Sequence, residues 1–305
     1  MASVTLAESA KLAQDELISG VIENIITVNQ MYELLPFMPI DGNALSYNRE
    51  NVLGDAQVLG VGDTITAKAA ATFTKVTTSL TTIVGDAEVN GLIQATRSAS
   101  TDQEATQVAS KAKTVGRKFQ DMLINGTGSS NQFTGLLGLV SNGQTLTAGA
   151  NGANLTFDML DSLIDLVLDK DGQVDFIAMP ARTRRAYLAL LRGLGGASID
   201  DVVQLPSGVN VPAYRGIPIF RNDWIPTDQT QGSASTCTTV FAGTLDDGSG
   251  MHGISGITAS EMAGIQVEDV GIHQSRDEKI TRVKWYCGLA LFSDLGLAAL
   301  KGVLN

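Results

Sequence analysis

The segment from 44 to 84 constrains the fold most, because its strand-forming residues recur at every second position and show no helical spacing. A two-residue period is typical of a β-strand. The opposing strand is predicted around Leu45, Tyr47 and Arg49, and glycines between the two runs predict a turn at the tip. Since a two-stranded hairpin is only marginally stable in water, the segment predicts another surface that covers it. The alternating residues are Val76, Thr78, Leu80, Thr82 and Val84.

Residues 5–35 carry the opposite signal, a broad apolar stripe at helical spacing. Pro36 and Pro39 end the predicted helix. A helix this apolar near a terminus needs a cover, and the sequence leaves open whether its own domain or a neighbouring subunit provides it. The stripe consists of Leu17, Ile18, Val21, Ile22, Ile25, Ile26 and Val28.

Residues 102–124 form the clearest predicted helix. Thr101 and Glu104 match a capping box, and Asn125-Gly126 predicts a left-handed end. One face is apolar, with Ala105, Val108, Ala109, Ala112, Val115, Phe119, Met122 and Leu123. Four cations lie off that face, and two interpretations stay open for them: a solvated face, or pairing with acidic neighbours. The cations are Lys111, Lys113, Arg117 and Lys118.

The rest of the chain alternates between helical and strand signals. Residues 126–155 and 243–264 are rich in glycine and small polar residues, so both are predicted to be loops. Thr156 is predicted to cap a helix whose inward residues are Leu160, Leu163, Ile164, Val167 and Leu168. A second helix is expected at 182–191, and strands are expected at 174–179, 209–211, 217–220, 240–242, 265–273, 279–292 and 295–304.

Charge and hydropathy narrow the function. The formal net charge is −11, and no Lys/Arg run exceeds two residues. Proteins that read a DNA sequence are usually basic because they neutralise phosphates, so that class is disfavoured. An acidic container around DNA is compatible, since repulsion keeps the polymer from sticking. No apolar run approaches the ~20 residues of a bilayer span, and no signal peptide is recognisable, so no membrane partner is expected.

No constellation of chemical groups accompanies this pattern. The two histidines, His252 and His273, lack neighbouring ligands at metal spacing, and the sequence contains neither a P-loop nor a Gly-x-Ser-x-Gly elbow. Cys237 and Cys287 are expected to be unpaired, buried apolar residues. Catalytic residues, metals and cofactors are therefore all predicted to be absent. Lys68 and Lys75 could in principle form isopeptide bonds with a neighbour, which would require a buried carboxylate as base.

The order of these elements resembles the major capsid proteins of tailed double-stranded-DNA bacteriophages, which have the Hong Kong 97-type coat fold. The resemblance covers essentially the whole chain. Within it, Gly216, Pro218, Asp223 and Pro226 match a recurring axial-domain motif. The phrases that carry it are Asp175-Phe176-Ile177-Ala178-Met179-Pro180, Arg215-Gly216-Ile217-Pro218-Ile219 and Asn222-Asp223-Trp224-Ile225-Pro226.

The resemblance implies an α+β coat fold with four parts. These are an N-terminal arm at 1–43, an extended hairpin loop at 44–84, a peripheral domain at 85–140 and 265–305 with its spine helix at 102–124, and an axial domain at 141–264. The hairpin of one subunit would lie over the spine helix of the next. Lys68, Lys75, Lys111, Lys113, Arg117 and Lys118 are the expected interface residues.

As function, the resemblance implies self-assembly as hexamers and pentamers into an icosahedral shell that packages double-stranded DNA without reading it. The shell would form in the cytoplasm of the bacterial host and become the virion capsid. A separate scaffolding protein is expected, because Met1 runs almost directly into the arm. A portal and a decoration protein are further expected partners.

Three alternatives remain open. An encapsulin-type nanocompartment shell would share the fold and enclose a cargo enzyme. An enzyme would use an unrecognised site in the α/β region at 156–245, and would show a concave pocket with perturbed titratable groups. A tail or baseplate structural protein is the third.

Overall fold

The computed structural model describes residues 31–97, 102–169, 172–193 and 202–305. Of the helix expected at 5–35, only the last turn falls within these ranges, as helix α1 at Met31–Leu34. The apolar stripe at Leu17–Val28 lies outside the described residues.

Five further helices and fifteen strands are described. The helices are α2 (Gly91–Arg97), α3 (Gln103–Asn125), α4 (Leu136–Leu139), α5 (Phe157–Leu168) and α6 (Ala181–Gly193). The strands are β1 (Phe37–Ile40), β2 (Ala44–Val52), β3 (Thr72–Ser79), β4 (Thr81–Asn90), β5 (Thr145–Thr147), β6 (Phe176–Met179), β7 (Val202–Gln204), β8 (Asn210–Tyr214), β9 (Ile217–Arg221), β10 (Gln229–Gln231), β11 (Ala234–Gly243), β12 (Ile254–Ala259), β13 (Gln266–Ile272), β14 (Glu278–Leu291) and β15 (Leu297–Val303).

The strands form two sheets and a separate hairpin. Strand β14 is the centre of a five-stranded sheet, where it pairs antiparallel with β4, β12 and β13, while β1 runs parallel to β12. The eight-stranded sheet has the order β5-β15-β11-β6-β9-β8-β7, with β10 beside β11. Strands β2 and β3 pair only with each other, from Ala44–Ser79 to Val52–Thr72. The two-stranded hairpin expected from the sequence is therefore present.

In strand β14, apolar and charged side chains alternate along the sequence, and their burial alternates in the same way. Thr281, Val283 and Cys287 are buried, whereas Arg282 and Lys284 remain partly exposed on the opposite face. A sheet with one packed face and one wet face needs this pattern. Helix α3 packs on the apolar face, across β4 and β14.

Helix α3 matches the prediction at 102–124 to within one residue at each end, but its caps differ from those predicted. The Asp102 carboxylate accepts hydrogen bonds from the backbone N–H groups of Glu104 and Ala105 at 3.0 and 3.3 Å, so Asp102, not Thr101, is the N-cap. An aspartate serves this position as well as a threonine. Gly126 at the other end is not left-handed; its φ is −56°. A side chain there would collide with the carbonyl oxygens of Met122 and Phe133.

The apolar face of α3 is buried only in its C-terminal half. Val115, Phe119, Met122 and Leu123 are buried, whereas Ala105 and Ala109 in the first turns are exposed. Phe119 stands at the centre of an aromatic cluster, with ring centroids 4.5 Å from Trp285, 5.7 Å from Phe133 and 5.8 Å from Phe37. The core around it is continuous with residues of the eight-stranded sheet such as Phe176, Phe220 and Phe241.

The helix capped by Thr156 is also confirmed. The Thr156 hydroxyl accepts a hydrogen bond from the backbone N–H of Met159 at 3.3 Å. Four of its five predicted inward residues are fully buried against the eight-stranded sheet, but Leu168 in the last turn is 43% exposed. The inward prediction for Leu168 was wrong because the helix ends there, at the edge of the packed surface.

Three segments differ from the prediction. The hairpin ends at Ser79, and the alternation through Thr82 and Val84 belongs to β4 of the five-stranded sheet. The expected loop at 126–155 contains α4 and β5, and the expected loop at 243–264 contains β12. Glycine in β12 has a packing role, since a Cβ on Gly256 would lie 2.5 Å from the Phe37 ring. Glycine content thus concealed a strand that hydrogen-bonds to β1 and β14.

Phe119 provides a direct test of this core. Phe119→Ala is expected to lower the free energy of unfolding by about 3–5 kcal/mol, because it removes a ring that is 2% exposed and leaves a cavity. Urea denaturation followed by circular dichroism measures the change. Phe73→Ala is the matched control: its ring is 64% exposed, so a change within about 0.5 kcal/mol is expected. Equal losses in both variants would contradict the assigned packing.

Candidate assembly surfaces

The β2–β3 hairpin exposes an unusual amount of apolar surface. Beyond the paired strands, the tip is ordered by its own polar contacts: the Gln57 Oε1 accepts from the backbone N–H groups of Thr66 and Ala67 at 2.7 and 2.6 Å. Its apolar side chains are nonetheless turned to solvent, and Val58 and Val61 are as exposed as in an extended chain. Exposed apolar patches of this kind mark interaction surfaces. The exposed residues are Val52, Leu53, Val58, Leu59, Val61, Ile65 and Phe73.

Lys68 and Lys75, the two hairpin lysines singled out from the sequence, are both exposed. Neither forms an ion pair or a side-chain hydrogen bond with any residue the structure describes. Both ammonium groups therefore remain free to meet a carboxylate on another molecule. An interface role for Lys68 and Lys75 stays a prediction.

The four cations of α3 do not form one patch. The guanidinium of Arg117 lies 5.1 Å from the centroid of the Trp224 ring, and Lys118 Nζ lies 3.1 Å from the Asp121 carboxylate. The methylenes of Lys111 run past Gly85 on β4, and Lys113 is half-buried. These contacts are within the chain, so a role in assembly also stays a prediction for these four residues.

The solvent-exposed face of the five-stranded sheet carries charged side chains that pair with each other. Arg282 donates two hydrogen bonds to the Asp86 carboxylate, at 2.8 and 2.9 Å, across β14 and β4. These bonds are the main reason why the pKa of Asp86 lies below its usual value. Beside them, Lys284 Nζ lies 2.5 Å from Glu268 on β13 and lowers the pKa of that carboxyl. Cross-strand pairs of this type fix the register of the sheet.

The motif residues Gly216 and Pro218 shape the β8–β9 hairpin. Arg215 and Gly216 both have positive φ, 53° and 80°, and Tyr214 pairs with Ile217. A two-residue loop with two positive φ angles is the type I′ turn that matches the twist of a hairpin. The Tyr214 hydroxyl donates to Asp161 of α5 at 2.8 Å, and burial is the main cause that raises its pKa to about 12. Glycine at 216 is thus a backbone requirement.

The other two motif residues are at the end of β9. Asp223 forms an ion pair with Arg221, and the Pro226 carbonyl accepts from the Thr238 hydroxyl at 2.7 Å. Between them, Trp224 was given no separate role from the sequence. Its indole N–H donates to Gln120 at 3.2 Å, and its carbonyl accepts from Asn125 at 3.0 Å. Trp224 therefore ties the eight-stranded sheet to helix α3.

Sequence reasoning also missed how the hairpin is attached. Tyr47 and Arg49 were predicted only as strand residues, yet their side chains hydrogen-bond to backbone carbonyls of Leu291 and Phe292 at the end of β14. The two-residue period of β2 places both on the inward face, but it does not indicate what lies opposite them.

Within the described ranges, no group of three or more His, Cys, Asp and Glu residues is arranged to hold a metal ion. Cys237 and Cys287 are both free and buried, as expected from the sequence. Burial raises the pKa of Cys287 to about 12, which keeps its thiol protonated. None of the helices in the described part of the chain is both long enough and apolar enough to cross a membrane.

The chain is similar to known proteins both in sequence and in fold. The sequence matches the phage capsid family over residues 10–246. Among solved structures, the SrpI encapsulin of Synechococcus elongatus PCC 7942 is 20% identical, with a TM-score of 0.75 over 99% of this chain and 96% of that one. The capsid of a native GTA particle is 12% identical, with a TM-score of 0.67 over 99% of both chains. A chain of Mycobacterium phage Bobi is 15% identical, with a TM-score of 0.65 over 98% of both. The comparison with curated proteins found no match.

The fold is that of a shell-building coat protein, with a hairpin that projects from two packed sheets. The chain belongs to the phage capsid family. It is a structural major capsid protein of the Hong Kong 97 type, not an enzyme; it self-assembles into a capsid, and its place is the virion capsid.

The Asp86–Arg282 pair predicts a specific pH dependence. The folded-state pKa of Asp86 is lowered from 3.8, so its stabilising effect is present above that value and is lost as the pH falls through the lowered pKa. Asp86→Asn is expected to reduce the free energy of unfolding by about 1 kcal/mol at pH 7, and by much less near pH 2. Urea titrations at both pH values measure this difference.

Asp223→Asn is the control for that measurement. The Asp223–Arg221 pair is more exposed, with both side chains at 55%, so a loss of less than about 0.5 kcal/mol is expected at pH 7. An equal effect of Asp86→Asn at both pH values would show that the ionised carboxylate is not the source of the stability.

Proposed function

We propose that this capsid protein assembles as hexamers and pentamers into an icosahedral shell that encloses double-stranded DNA. The observation that carries the proposal is the hairpin, whose apolar side chains find no cover among the residues that the structure describes. A neighbouring copy that receives the hairpin would itself extend a hairpin to the next copy. Such a head-to-tail contact closes into rings when the rotation between copies closes.

The receiving surface would be the spine helix α3 of the neighbouring copy. Its first turns present Ala105 and Ala109 to solvent, on the face that is buried further along the helix. Small side chains there would allow the backbone of a hairpin to approach closely. Lys68 and Lys75 of the hairpin, and Lys111, Lys113, Arg117 and Lys118 of the helix, are the proposed interface cations.

In this proposal, the five-stranded sheet with α3 forms the peripheral domain and the eight-stranded sheet forms the axial domain. Four strands depart from the domain limits expected from the sequence. Strand β1 lies within 1–43 and β4 begins within 44–84, but both pair in the five-stranded sheet. Strand β12 lies within 141–264 but pairs in the five-stranded sheet, and β15 lies within 265–305 but pairs in the eight-stranded one. The motif residues Gly216, Pro218, Asp223 and Pro226 would support the axial domain from within.

The acidic character of the chain supports a container for DNA that does not bind its sequence. A net charge of −11 on every subunit repels a polyanion, which keeps packaged DNA from adhering to the wall. The proposed partners are a separate scaffolding protein, a portal and a decoration protein. Assembly would take place in the cytoplasm of the bacterial host.

A second candidate function is a nanocompartment that encloses a cargo protein. It is favoured by the likeness to the SrpI encapsulin, whose TM-score of 0.75 exceeds those of the GTA capsid and phage Bobi chains compared above. The two functions share the shell and differ in its contents. The long exposed hairpin supports assembly in either case, so particle contents decide between them.

Electron microscopy of the purified protein, combined with nucleic-acid analysis of the particles, tests the proposal. Closed shells or capsomer rings are expected when the protein is produced alone or with the proteins encoded beside it. Nuclease-resistant double-stranded DNA inside large particles would support the genome container. Small uniform shells that contain a protein and lack DNA would favour the nanocompartment. A monomer under all conditions of salt and concentration would contradict both.

The exposed valines of the hairpin tip should be needed for assembly and dispensable for folding. Val58→Asp/Val61→Asp is expected to reduce the yield of particles by at least about tenfold, because it places charge in an apolar contact. Its melting temperature should stay within about 2 °C of the wild type, since neither side chain touches the body. Sedimentation velocity and differential scanning calorimetry measure the two effects. Val58→Ile/Val61→Ile, which keeps the surface apolar, should assemble normally.

Lys68 and Lys75 provide a separate electrostatic test. If they meet carboxylates of a neighbour, Lys68→Glu/Lys75→Glu should slow assembly, and the difference from the wild type should shrink as salt is raised from about 0.05 to 0.5 M. Light scattering during assembly follows the rate. Lys68→Arg/Lys75→Arg, which retains both charges, is the matched control. An equal rate for the Glu and Arg variants at low salt would remove these lysines from the interface.

A further inference from the structure

The hairpin joins the body through one small contact. Along β2, Leu45, Tyr47 and Arg49 are half-buried, and every residue from Glu50 to Val52 is exposed. On the partner strand, contact begins only at Val76. The distal part of the hairpin, from 50 to 75, therefore extends beyond a pivot at Arg49. The direction of that long arm depends on a few side chains at its base.

Arg49 is the centre of this contact. Its Nε donates to the Phe292 carbonyl at 2.9 Å, and its Nη2 donates to the Leu291 carbonyl at 2.7 Å. The Nη1 lies 3.6 Å from the Asp294 carboxylate. Because the guanidinium is planar, two fixed directions of donation and the ion pair with Asp294 define the angle at which β2 leaves the body. A lysine at this position could not reproduce that geometry.

Tyr47 reinforces the same point. Its hydroxyl donates to the Leu291 carbonyl at 2.5 Å, so Tyr47 and Arg49 share one acceptor. Its ring packs on Phe292, with centroids 5.2 Å apart. Burial is the main cause that raises the pKa of Tyr47, which keeps the hydroxyl a donor. Strand β4 pairs with β14 only as far as Cys287, so the carbonyl of Leu291 lies beyond that pairing and accepts from the hairpin instead.

The surroundings leave room for another hairpin angle. An open cleft of about 660 Å³ lies between β2 and the body, bordered by Asn51, Met251 and Leu295. Two short connections join the base of the hairpin to the body. Gly42, just before β2, has a φ of 107°, and a single residue, Leu80, separates β3 from β4. The hairpin thus has free space beside it and a polar clamp that selects its direction.

We propose that Arg49 is a positioning residue: with Tyr47 it clamps the hairpin to the end of β14 at one angle, and that angle sets the curvature with which neighbouring subunits join. The proposal rests on the proposed function, in which the hairpin reaches the next copy. A hairpin held near one angle presents its tip at nearly one place, so the contacts within hexamers and pentamers differ only slightly in geometry. Without the clamp, subunits would join at a range of angles and build shells of mixed size.

The clamp is tested first on the unassembled full-length protein, where shell formation plays no part. Spin labels on Thr64→Cys at the hairpin tip and Asp228→Cys on the body report one distance, and the native cysteines are buried. Arg49→Ala is expected to broaden the distance distribution at least about twofold, and Tyr47→Phe to broaden it less. Glu50→Ala, which removes an exposed charge of the same strand without a described partner, is the matched control and should leave the width unchanged.

Electron microscopy of assembled material then tests the link to curvature. Arg49→Ala should give shells of several diameters, whereas the wild type and Glu50→Ala should give one. An unchanged distance distribution in Arg49→Ala would overturn the clamp. A broadened distribution with shells of a single size would overturn its control of curvature. If the wild type forms no shells, the proposed function fails and the curvature part with it, while the distances still decide the clamp.

Discussion

The packing of Phe119 against Trp285 holds together elements that are far apart in sequence, and the rest of the structure depends on it. Phe119 brings helix α3 onto strand β14, and Phe37 and Phe133 close the same aromatic cluster from the N-terminal strand and from the segment after the helix. Because this cluster is continuous with the core of the eight-stranded sheet, it fixes the helix relative to both sheets. Trp224 adds a polar link at the same end of the helix.

Around this core, one part of the molecule buries its apolar surface within the chain and another part leaves it exposed. The two sheets and helices α3 and α5 bury their apolar faces within one chain. The hairpin beyond Arg49 does not, and Ala105 and Ala109 near the start of α3 also remain exposed. A subunit that folds fully and still exposes apolar surface at its periphery is suited to repeated association, since each contact is completed only by another copy. The paired charges on the wet face of the five-stranded sheet stabilise the subunit and do not need a partner.

The sequence predicted helices and strands well where the apolar residues kept one spacing and the residues on either side clearly interrupted it. The alternation of β14, the Thr156 cap and the helix at 102–124 depend on neighbouring residues, so they were readable. It failed where local signals were ambiguous. The two-residue alternation of β3 continues into β4 without a turn residue, so the sequence does not show where the first strand ends. The glycines around β12 are typical of a loop, and only the packing of Phe37 on Gly256 explains a glycine within this strand. The site was harder to predict. The interface role expected for Lys68 and Lys75 stays a prediction, whereas Arg49 and Trp224 have roles that depend on partners more than ninety residues away.

The sequence by itself determined the class of the protein: a non-catalytic, acidic chain with an uncovered hairpin and one long amphipathic helix. These properties follow from composition and from periods of two and 3.6 residues, which are local. Only the tertiary structure decided which strands share a sheet, where the hairpin ends and what holds it at its angle. Each of these depends on hydrogen bonds and packing between residues distant in the chain. An Arg49 facing solvent and an Arg49 bound to the carbonyls of Leu291 and Phe292 have the same local sequence.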